Sequence, residues 1–370
     1  MPEPPEQTGP IAVYGATGFT GRLVAAELRR RGAAFVLSGR NPSKLEMVAE
    51  EIGGDVETRP ARLDDAPALR RLLVPCAAVI SCAGPFRLHG EPVLAAAVES
   101  GTHYLDTTGE QPFMRTVFAY GARAEQAGAV AVTAMGFDYV PGDMIAALTA
   151  GGEALDELVL AYSVTGFSPT RGTALSALGM LAGGDVEWRD GALVPAPQSV
   201  GRGSWDFGGS IGSLRTVRYP AGEHITVPRH VTTGRVRTIM SASTAVPLPD
   251  AMASLVMAPL QLVLRTPVRR GMEALVPRLP EGPSEERRRK SRFVISCEAV
   301  RDAGRRSGAV SGSDLYGLTA RTTVEGALRC AARGYDRSGA LAPSQAFDPA
   351  DFLDSLWSAG VDYEVEPAWT

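Results

Sequence analysis

The chain has 370 residues, of which 45% are hydrophobic and 21% charged, and its formal net charge is −4. This composition is typical of a globular protein with more than one domain and excludes a disordered or membrane-embedded chain. The slightly acidic balance argues against a nucleic-acid partner, whose binding would require a basic surface.

The first ten residues, Met1 to Pro10, are rich in proline and glutamate and contain neither a basic segment nor an apolar run. We therefore predict a disordered tail over residues 1–10 rather than a signal peptide. The four cysteines show no C-x-x-C spacing, which favours a reduced, cytoplasmic protein with no bound metal. They are Cys76, Cys82, Cys297 and Cys330.

Residues 11–136 alternate short apolar runs with helical patterns, as βαβ units do. Continuous apolar runs indicate strands that are buried on both faces. We predict an α/β domain here, with a doubly wound parallel (Rossmann) sheet. The predicted strands are Ile11–Tyr14, Phe35–Ser38, Val56–Arg59, Ala78–Ser81, His103–Asp106 and Val130–Thr133, with helices near 19–31, 43–52, 65–73, 91–100 and 112–127.

After Gly136 the strand-like segments are separated by Gly- and Pro-rich joints and lack regular crossover helices. This pattern predicts a second, α+β domain over residues 137–316, with a mostly antiparallel sheet, which would hold the substrate. Residues 317–370 contain two helical patterns and are predicted to pack back on the first domain. The predicted strands of the second domain are Leu158–Thr165, Thr216–Tyr219, Val236–Ala242, Phe293–Ala299 and Val310–Leu315.

The most apolar stretch of the second domain runs from Ala251 to Leu264 and contains Pro259. A helix that spans a bilayer needs about 20 apolar residues, so we predict no transmembrane segment. The simplest interpretation is a core-facing helix. The alternative is an amphipathic lid, or a peripheral contact with a lipid surface or a carrier protein. The sequence does not determine the oligomeric state.

The strongest motif lies between the first strand and the first helix, where small residues follow one another. A bare backbone lets a pyrophosphate approach the helix N-terminus, whose free N–H groups and dipole stabilise negative charge. The strand before the motif and the helix after it are the context that a dinucleotide fingerprint requires. The predicted cofactor-binding residues here are Gly15, Thr17, Gly18, Phe19, Thr20 and Gly21.

The end of the second strand distinguishes the two nicotinamide cofactors. An NAD enzyme usually has an acid there, which bonds the ribose 2′-hydroxyl, but this strand ends in Leu37-Ser38-Gly39-Arg40. A guanidinium at position 40 can bind a 2′-phosphate, Ser38 can donate to it, and Lys44 can add positive charge. We therefore predict NADPH/NADP+ as the cofactor.

Two further loops follow predicted strands at the edge of the sheet where ligands bind in open α/β folds. Asp64 follows the third strand and is predicted to flank the adenine, with a helix cap as the alternative role. The loop after the fourth strand is predicted to approach the nicotinamide ribose. Its residues are Cys82, Ala83, Gly84, Pro85 and Phe86.

A proton donor is harder to assign. The Tyr-x-x-x-Lys pair of short-chain reductases is absent, because Arg40 precedes Lys44 by four residues and Glu286 precedes Lys290 by four. The remaining candidates near strand ends are Tyr139, Asp138 and Asp106, of which Tyr139 is the best neutral donor. Asp106 and Glu110 have an alternative role as caps of the helix near Pro112, and Asp138 and Asp143 as caps of the next one. His89 is a further catalytic candidate.

With these segments the chain resembles the saccharopine dehydrogenase-like oxidoreductases, a family that includes trans-acting enoyl reductases. The likeness is strong through about residue 145, weaker across the second domain, and present again near the end. It implies a two-domain NADP-dependent reductase. The segments are Gly15–Gly21, Ser38–Asn41, Tyr104–Glu110, Gly136–Asp143 and Leu341–Phe347.

The resemblance determines the cofactor better than the substrate. Our leading hypothesis is an enoyl (C=C) reductase that acts on a polyketide- or lipid-type acyl chain, as a small molecule or bound to a carrier protein. A second hypothesis is reduction of a C=O or C=N bond in a natural product or small metabolite. A third is a non-catalytic NADP-sensing protein, suggested by the missing proton-relay motif.

Overall fold

The computed structural model describes residues 7–181, 185–197, 201–245, 266, 268–278, 280–302 and 304–369. The chain divides into two compact units. The first unit comprises Met1–Val140 and Tyr316–Phe347, and the second comprises Pro141–Leu315 and Asp348–Thr370. Each unit is built on its own β-sheet.

The first unit contains a seven-stranded sheet in the order β15-β6-β5-β4-β1-β2-β3, and its neighbouring strands pair in parallel. The predicted doubly wound sheet is therefore confirmed. A strand from the C-terminal part of the chain adds the seventh position, which the sequence patterns did not predict. Numbered along the whole chain, the strands are β1 (Ile11–Tyr14), β2 (Phe35–Ser38), β3 (Glu57–Thr58), β4 (Ala78–Ser81), β5 (His103–Asp106), β6 (Val130–Val132) and β15 (Gly339–Leu341).

Helices connect these strands, because parallel neighbours need crossovers. Asn41 caps the second helix by accepting from the Lys44 N–H, and Asp65 caps the third by accepting from the Ala68 N–H. The helices of this unit are α1 (Phe19–Arg30), α2 (Pro42–Ile52), α3 (Ala66–Leu73), α4 (Phe86–His89), α5 (Glu91–Glu99), α6 (Gln111–Ala119), α7 (Gly121–Gln126), most of α14 (Leu315–Ala331), and α15 (Pro343–Ala346).

The predicted tail is ordered where the structure describes it. Gln7 forms a β-bridge with Ala332, and the Thr8 N–H donates to the Ala331 carbonyl at 2.9 Å. The prediction of disorder is therefore wrong for residues 7–10, because this backbone finds hydrogen-bond partners more than 300 residues away. Residues 1–6 lie outside the described part of the chain.

The second unit contains a nine-stranded sheet in the order β10-β11-β12-β7-β13-β14-β16, with β8 beside β12 and β9 beside β8. Within this second sheet, only β12 and β7 pair in parallel among the described strands, so the predicted mostly antiparallel sheet is confirmed. The strands are β7 (Leu155–Thr165), β8 (Val186–Arg189), β9 (Ala192–Pro195), β10 (Arg202–Asp206), β11 (Ser213–Arg218), β12 (Thr233–Ser241), β13 (Arg292–Arg301), β14 (Gly304–Ser313) and β16 (Asp362–Val365).

The two faces of this sheet differ in burial. Along β13, Phe293, Ile295 and Cys297 are buried, and the residues between them are only half-buried. Helix α8 packs on the buried face, since a Cβ added at Gly308 of β14 would lie 2.3 Å from the Thr149 Oγ1. The helices of this unit are α8 (Val140–Ala150), α9 (Arg171–Leu181), α10 (Glu223–Thr226), α11 (Ala242–Ala245), α12 (Val268–Leu275), α13 (Glu285–Lys290) and α16 (Pro349–Ser355).

The C-terminal segment is shared between the units, which corrects the prediction that residues 317–370 pack as a whole on the first domain. Tyr316–Phe347 belongs to the first unit, but β16 pairs antiparallel with β14 and draws residues 348–370 into the second. The apolar stretch 251–264 lies outside the described residues. No helix in the described ranges is long and apolar enough to cross a membrane.

Candidate functional site

The turn between β1 and α1 forms a compact loop at the carboxyl end of the sheet. Both Gly15 and Ala16 donate their N–H groups to the Ser38 carbonyl, at 2.9 and 3.1 Å, and Gly18 donates to the Gly15 carbonyl at 3.0 Å. Gly15 has φ +82°, a conformation that favours glycine. The loop thus holds the start of α1 against the end of β2.

The glycines of this loop serve different purposes. A Cβ added at Gly21 would lie 2.3 Å from the Gly15 carbonyl oxygen, so packing of helix on loop requires glycine there. Gly18 instead has φ −82° and ψ 166°, which any residue adopts, and an added Cβ would have no neighbour nearer than 3.4 Å. Nothing in the described fold requires glycine at position 18, and the open space there would admit close approach of a ligand. The first turn of α1 contains no acid, so the loop fits a pyrophosphate.

The polar side chains at and after the end of β2 differ in whether they are exposed to a ligand. Arg40 and Lys44 are exposed, and Lys44 lies in the first turn of α2. Ser38 is buried, and its hydroxyl donates to the Arg59 carbonyl at 2.7 Å. This bond favours a structural role for Ser38, which holds the third-strand segment in place, and donation from Ser38 to a 2′-phosphate stays a prediction. Arg40 remains the group that can bind a 2′-phosphate.

Arg40 and Asp64 lie near the same hydroxyl group, that of Tyr14. Burial raises the pKa of Tyr14 to about 12, the positive charge of Arg40 lowers it, and the negative charge of Asp64 raises it. Asp64 is exposed and forms a bidentate ion pair with Arg62, at 2.8 and 2.9 Å. Asp65, not Asp64, caps α3, so the alternative role for Asp64 is wrong. Asp64 at the adenine stays a prediction.

The loop after β4 lies directly against the phosphate loop. The Cys82 N–H donates to the Tyr14 carbonyl at 2.8 Å, and a Cβ added at Gly15 would lie 3.0 Å from the Ala83 nitrogen. Burial raises the pKa of the Cys82 thiol to about 12, so this thiol stays protonated and unreactive at neutral pH. The structure therefore brings two of the predicted cofactor-binding loops together.

A buried carboxylate holds the far end of this second loop. The two carboxylate oxygens of Glu110 accept from the Phe86 N–H at 2.9 Å and the Arg87 N–H at 3.1 Å. Glu110 precedes α6 without capping it through its side chain, so its predicted capping role is wrong. The Phe86 ring packs on Phe113, with ring centroids 5.5 Å apart. The sequence motifs did not indicate this function of Glu110, because its partners are 23 and 24 residues earlier in the chain.

We expect Glu110→Gln to weaken NADPH binding by about tenfold, since an amide nitrogen cannot accept the second backbone N–H and the loop after β4 loses one anchor. Binding of 2′,5′-ADP, which lacks the nicotinamide half, should change by less than about twofold. This change is small compared with the effect of losing a hydrogen bond. Parallel fluorescence titrations of both ligands measure the difference. Equal losses for the two ligands would contradict a role in positioning the nicotinamide side.

The predicted catalytic residues of the first unit are largely engaged in holding backbone. Asp106 is buried, and its Oδ1 accepts from the Thr108 N–H, the Ala134 N–H and the Thr133 hydroxyl. Burial raises the pKa of Asp106 to about 6, and these bonds oppose that rise. The Tyr139 hydroxyl is buried and donates to the Gly109 carbonyl at 2.9 Å. These contacts favour positioning roles, and catalysis by Asp106 or Tyr139 stays a prediction.

Asp138 differs from its neighbours, since it is exposed to water. Protein atoms nevertheless surround its carboxyl group closely enough that loss of solvation raises the pKa of Asp138 to about 6. His89 ends the short helix α4. His103 accepts from the Val130 N–H through Nδ1 at 3.1 Å, and burial lowers its pKa, so it serves the sheet.

The second unit contains a buried polar cluster that the sequence analysis did not identify. His230 Nε2 lies 2.9 Å from the Oδ1 of Asp143, which is fully buried in the first turn of α8. The Tyr162 hydroxyl donates to Glu223, and a Cβ at Gly142 would collide with both groups. An imidazole oriented by a buried carboxylate is an arrangement that supports acid–base chemistry. Only the tertiary structure shows this polar cluster, because its residues are far apart in the sequence.

Comparison with known proteins identifies the first unit. The model of the saccharopine dehydrogenase NADP binding domain matches residues 11–132. Residues 11–132 therefore resemble a saccharopine dehydrogenase NADP-binding domain, and we call them the NADP-binding domain. The resemblance inferred from the sequence motifs is confirmed for this domain, and so is NADP as its cofactor. Its phosphate loop and the exposed Arg40 at the end of β2 are the features that fit this cofactor.

Individual relatives match less than two fifths of the chain. The chain is 36% identical over 155 residues to an Arabidopsis thaliana protein named as a probable mitochondrial saccharopine dehydrogenase-like oxidoreductase, covering 38% of this chain and 34% of the relative. It is 36% identical over 140 residues to a trans-acting enoyl reductase of Mycobacterium ulcerans, covering 36% of this chain and 34% of that protein. The chain thus spans about a third of the length of these relatives.

Among solved structures, saccharopine dehydrogenase (L-Glu forming) from Saccharomyces cerevisiae matches with a TM-score of 0.61. The match covers 97% of this chain and all of that chain, at 12% sequence identity. At this identity the likeness extends to the fold alone. It supports the combination of a Rossmann sheet with a second, mostly antiparallel sheet.

Proposed function

We propose that this chain is an NADPH-dependent reductase, and that it reduces the C=C bond of an acyl substrate. The observation that carries the reductase is the NADP-binding domain, with its open position at Gly18 and its cation at Arg40. The choice of an enoyl substrate rests on relatives named as trans-acting enoyl reductases. An acyl chain, free or bound to a carrier protein, is the corresponding substrate class.

NADPH, when bound, supplies a hydride, and the protein has to hold the cofactor and the acceptor in place. In this proposal the first turn of α1 and the loop from Gly15 to Gly21 bind the pyrophosphate through backbone N–H groups. Arg40 binds the 2′-phosphate, with Lys44 adding positive charge nearby. Glu110 keeps the loop after β4 in the conformation that borders the nicotinamide ribose.

Reduction of a C=C bond also needs a proton at the carbon that does not receive the hydride. Tyr139, Asp138 and Asp106 are the donors proposed from the sequence. The hydrogen bond from the Tyr139 hydroxyl to the Gly109 carbonyl favours a positioning role for that tyrosine. Protonation of an enolate by water after hydride transfer needs no protein acid, and it is consistent with the absence of a Tyr-x-x-x-Lys pair.

The decisive experiment is NADPH oxidation in the presence of candidate substrates. We expect turnover with enoyl thioesters, and transfer of deuterium from labelled NADPH to one alkene carbon, read by mass spectrometry. Deuterium at a former carbonyl or imine carbon would instead identify the chain as a keto- or imine reductase. Tight NADPH binding without turnover on any substrate class would support an NADP-sensing protein and overturn the reductase.

A further inference from the structure

The face of the second sheet opposite α8 carries a cluster of arginines that no sequence motif predicted. Strand register places them together, because Arg218 of β11 pairs with Ile239 of β12, and Ile239 shares its face with Arg237 and Arg235. The Arg189–Arg235 pair between β8 and β12 adds a fourth arginine to this face. Four guanidinium groups thus come from three strands.

A cavity of about 170 Å³ opens beneath these side chains. Gly201 and Gly203 supply its space: a Cβ at Gly203 would lie 3.3 Å from the Thr216 hydroxyl, and one at Gly201 would lie 3.5 Å from Arg218 Nε. Thr216 is the cross-strand partner of Gly203, so its hydroxyl faces the same space. We call this the arginine cavity: Gly201, Gly203, Thr216, Arg218, Arg235 and Arg237.

Acids only partly neutralise the arginine cavity. Glu187 pairs with Arg189, and its second oxygen is 3.8 Å from Arg218 Nη1. Glu157 lies 3.5 Å from Arg235 Nε and 3.4 Å from Arg237 Nε, contacts too long to occupy a guanidinium fork. The four arginines exceed these two glutamates by two charges. The forks of Arg235 and Arg237 make no hydrogen bond within the described part of the chain.

His224 in the cavity wall responds to this positive charge. Burial, together with the charges of Arg218 and Arg235, lowers the pKa of His224 to about 3, so the imidazole is neutral at physiological pH. Its Nδ1 accepts from the Trp188 N–H at 3.2 Å, and its Nε2 lies 2.8 Å from the Thr238 hydroxyl. His224 therefore adds no positive charge, and the excess positive charge of the cavity wall comes from its arginines.

We propose that the arginine cavity binds a phosphate group through the guanidinium forks of Arg218, Arg235 and Arg237. Arg218 Nη1 donates to the Pro197 carbonyl at 3.2 Å, so Arg218 would bind through its Nε and Nη2 edge. The excess of two positive charges matches a phosphate dianion, and arginine forks bind phosphate oxygens in a bidentate manner. Forks from two strands, together with the Thr216 hydroxyl, surround a tetrahedral group better than a planar carboxylate. The proposal is independent of the reductase activity and concerns a second site, within the second unit.

The test is calorimetric titration of the full chain with inorganic phosphate at low ionic strength. We expect Arg218→Gln and Arg237→Gln each to weaken phosphate binding by about tenfold, since each removes one charged fork. Arg305→Gln is the matched control, because Arg305 lies on the same face, pairs with Glu298 at 3.0 Å and does not line the cavity. Its phosphate affinity should equal that of the wild type.

Two further variants keep the test decisive. Gly203→Val retains every charge and fills the cavity, so it should weaken phosphate binding while circular dichroism stays unchanged. Arg40→Glu disables the 2′-phosphate position of the NADP-binding domain, and phosphate should still bind. Loss of phosphate binding in Arg40→Glu but not in Arg218→Gln would overturn the proposal, as would equal affinities for phosphate and acetate.

Discussion

Replacing Gly18 with valine is expected to weaken binding of NADPH and NADH alike by at least about 100-fold, or roughly 2.7 kcal/mol. The reason is steric, because a branched side chain would occupy the space where the pyrophosphate approaches bare backbone at the start of α1. The fold should survive, since Gly18 has an extended backbone conformation and an added Cβ has no neighbour nearer than 3.4 Å. Fluorescence titration measures binding, and circular dichroism measures the fold.

A substitution at Gly21 is the control for Gly18→Val, because the fold requires glycine at position 21. A Cβ at Gly21 would lie 2.3 Å from the Gly15 carbonyl oxygen, so Gly21→Ala should lower the thermal midpoint as well as cofactor affinity. Gly18→Val should change affinity alone. Normal circular dichroism with undiminished NADPH affinity in Gly18→Val would show that the cofactor does not lie over this loop.

The second large effect concerns cofactor choice. Arg40→Glu should weaken NADPH binding by at least about tenfold, or 1.4 kcal/mol, and leave NADH binding unchanged or improved. The carboxylate would repel the 2′-phosphate and could instead accept a bond from a free ribose 2′-hydroxyl. Because Ser38 is buried and its hydroxyl bonds to the Arg59 carbonyl, we expect no compensation from Ser38.

Lys44→Glu is the matched control for this substitution, since Lys44 is also an exposed cation near the end of β2. It carries a smaller share of the 2′-phosphate interaction in our proposal, so the loss of NADPH affinity should be smaller than for Arg40→Glu. Titrations of both cofactors against both variants give the comparison. Equal losses of NADPH and NADH affinity in Arg40→Glu would mean that Arg40 does not distinguish the cofactors.

Two carboxylates, one at the end of β5 and one just after it, connect the cofactor loops with the rest of the NADP-binding domain. Asp106 bonds the backbone at Ala134 after β6, and Glu110 bonds the backbone at Phe86 and Arg87 after β4. One short segment therefore holds the loops of both neighbouring strands. We expect the buried carboxylates of this segment to act on ligand binding through loop geometry, and therefore test Glu110 with two ligands that differ only in their nicotinamide half.

The sequence by itself determined the features that depend on neighbouring residues. The alternation of apolar runs with helical patterns predicted the doubly wound sheet, because strand and crossover have different hydrophobic periods. The order strand, glycine loop, helix predicted the pyrophosphate site, and Arg40 in place of an acid predicted NADP. These are short-range signals. Their chemistry is complete within a few consecutive residues.

Tertiary structure decided which polar side chains remain available. Ser38 and Arg40 are only two positions apart. The Ser38 hydroxyl donates to the Arg59 carbonyl, whereas the Arg40 side chain is exposed to water. Glu110 finds its partners at Phe86 and Arg87, and the arginines at positions 218 and 237 converge only through strand register. A hydrogen bond or charge cluster of this kind joins residues that are distant in the chain, and only the packed fold brings them within bonding distance.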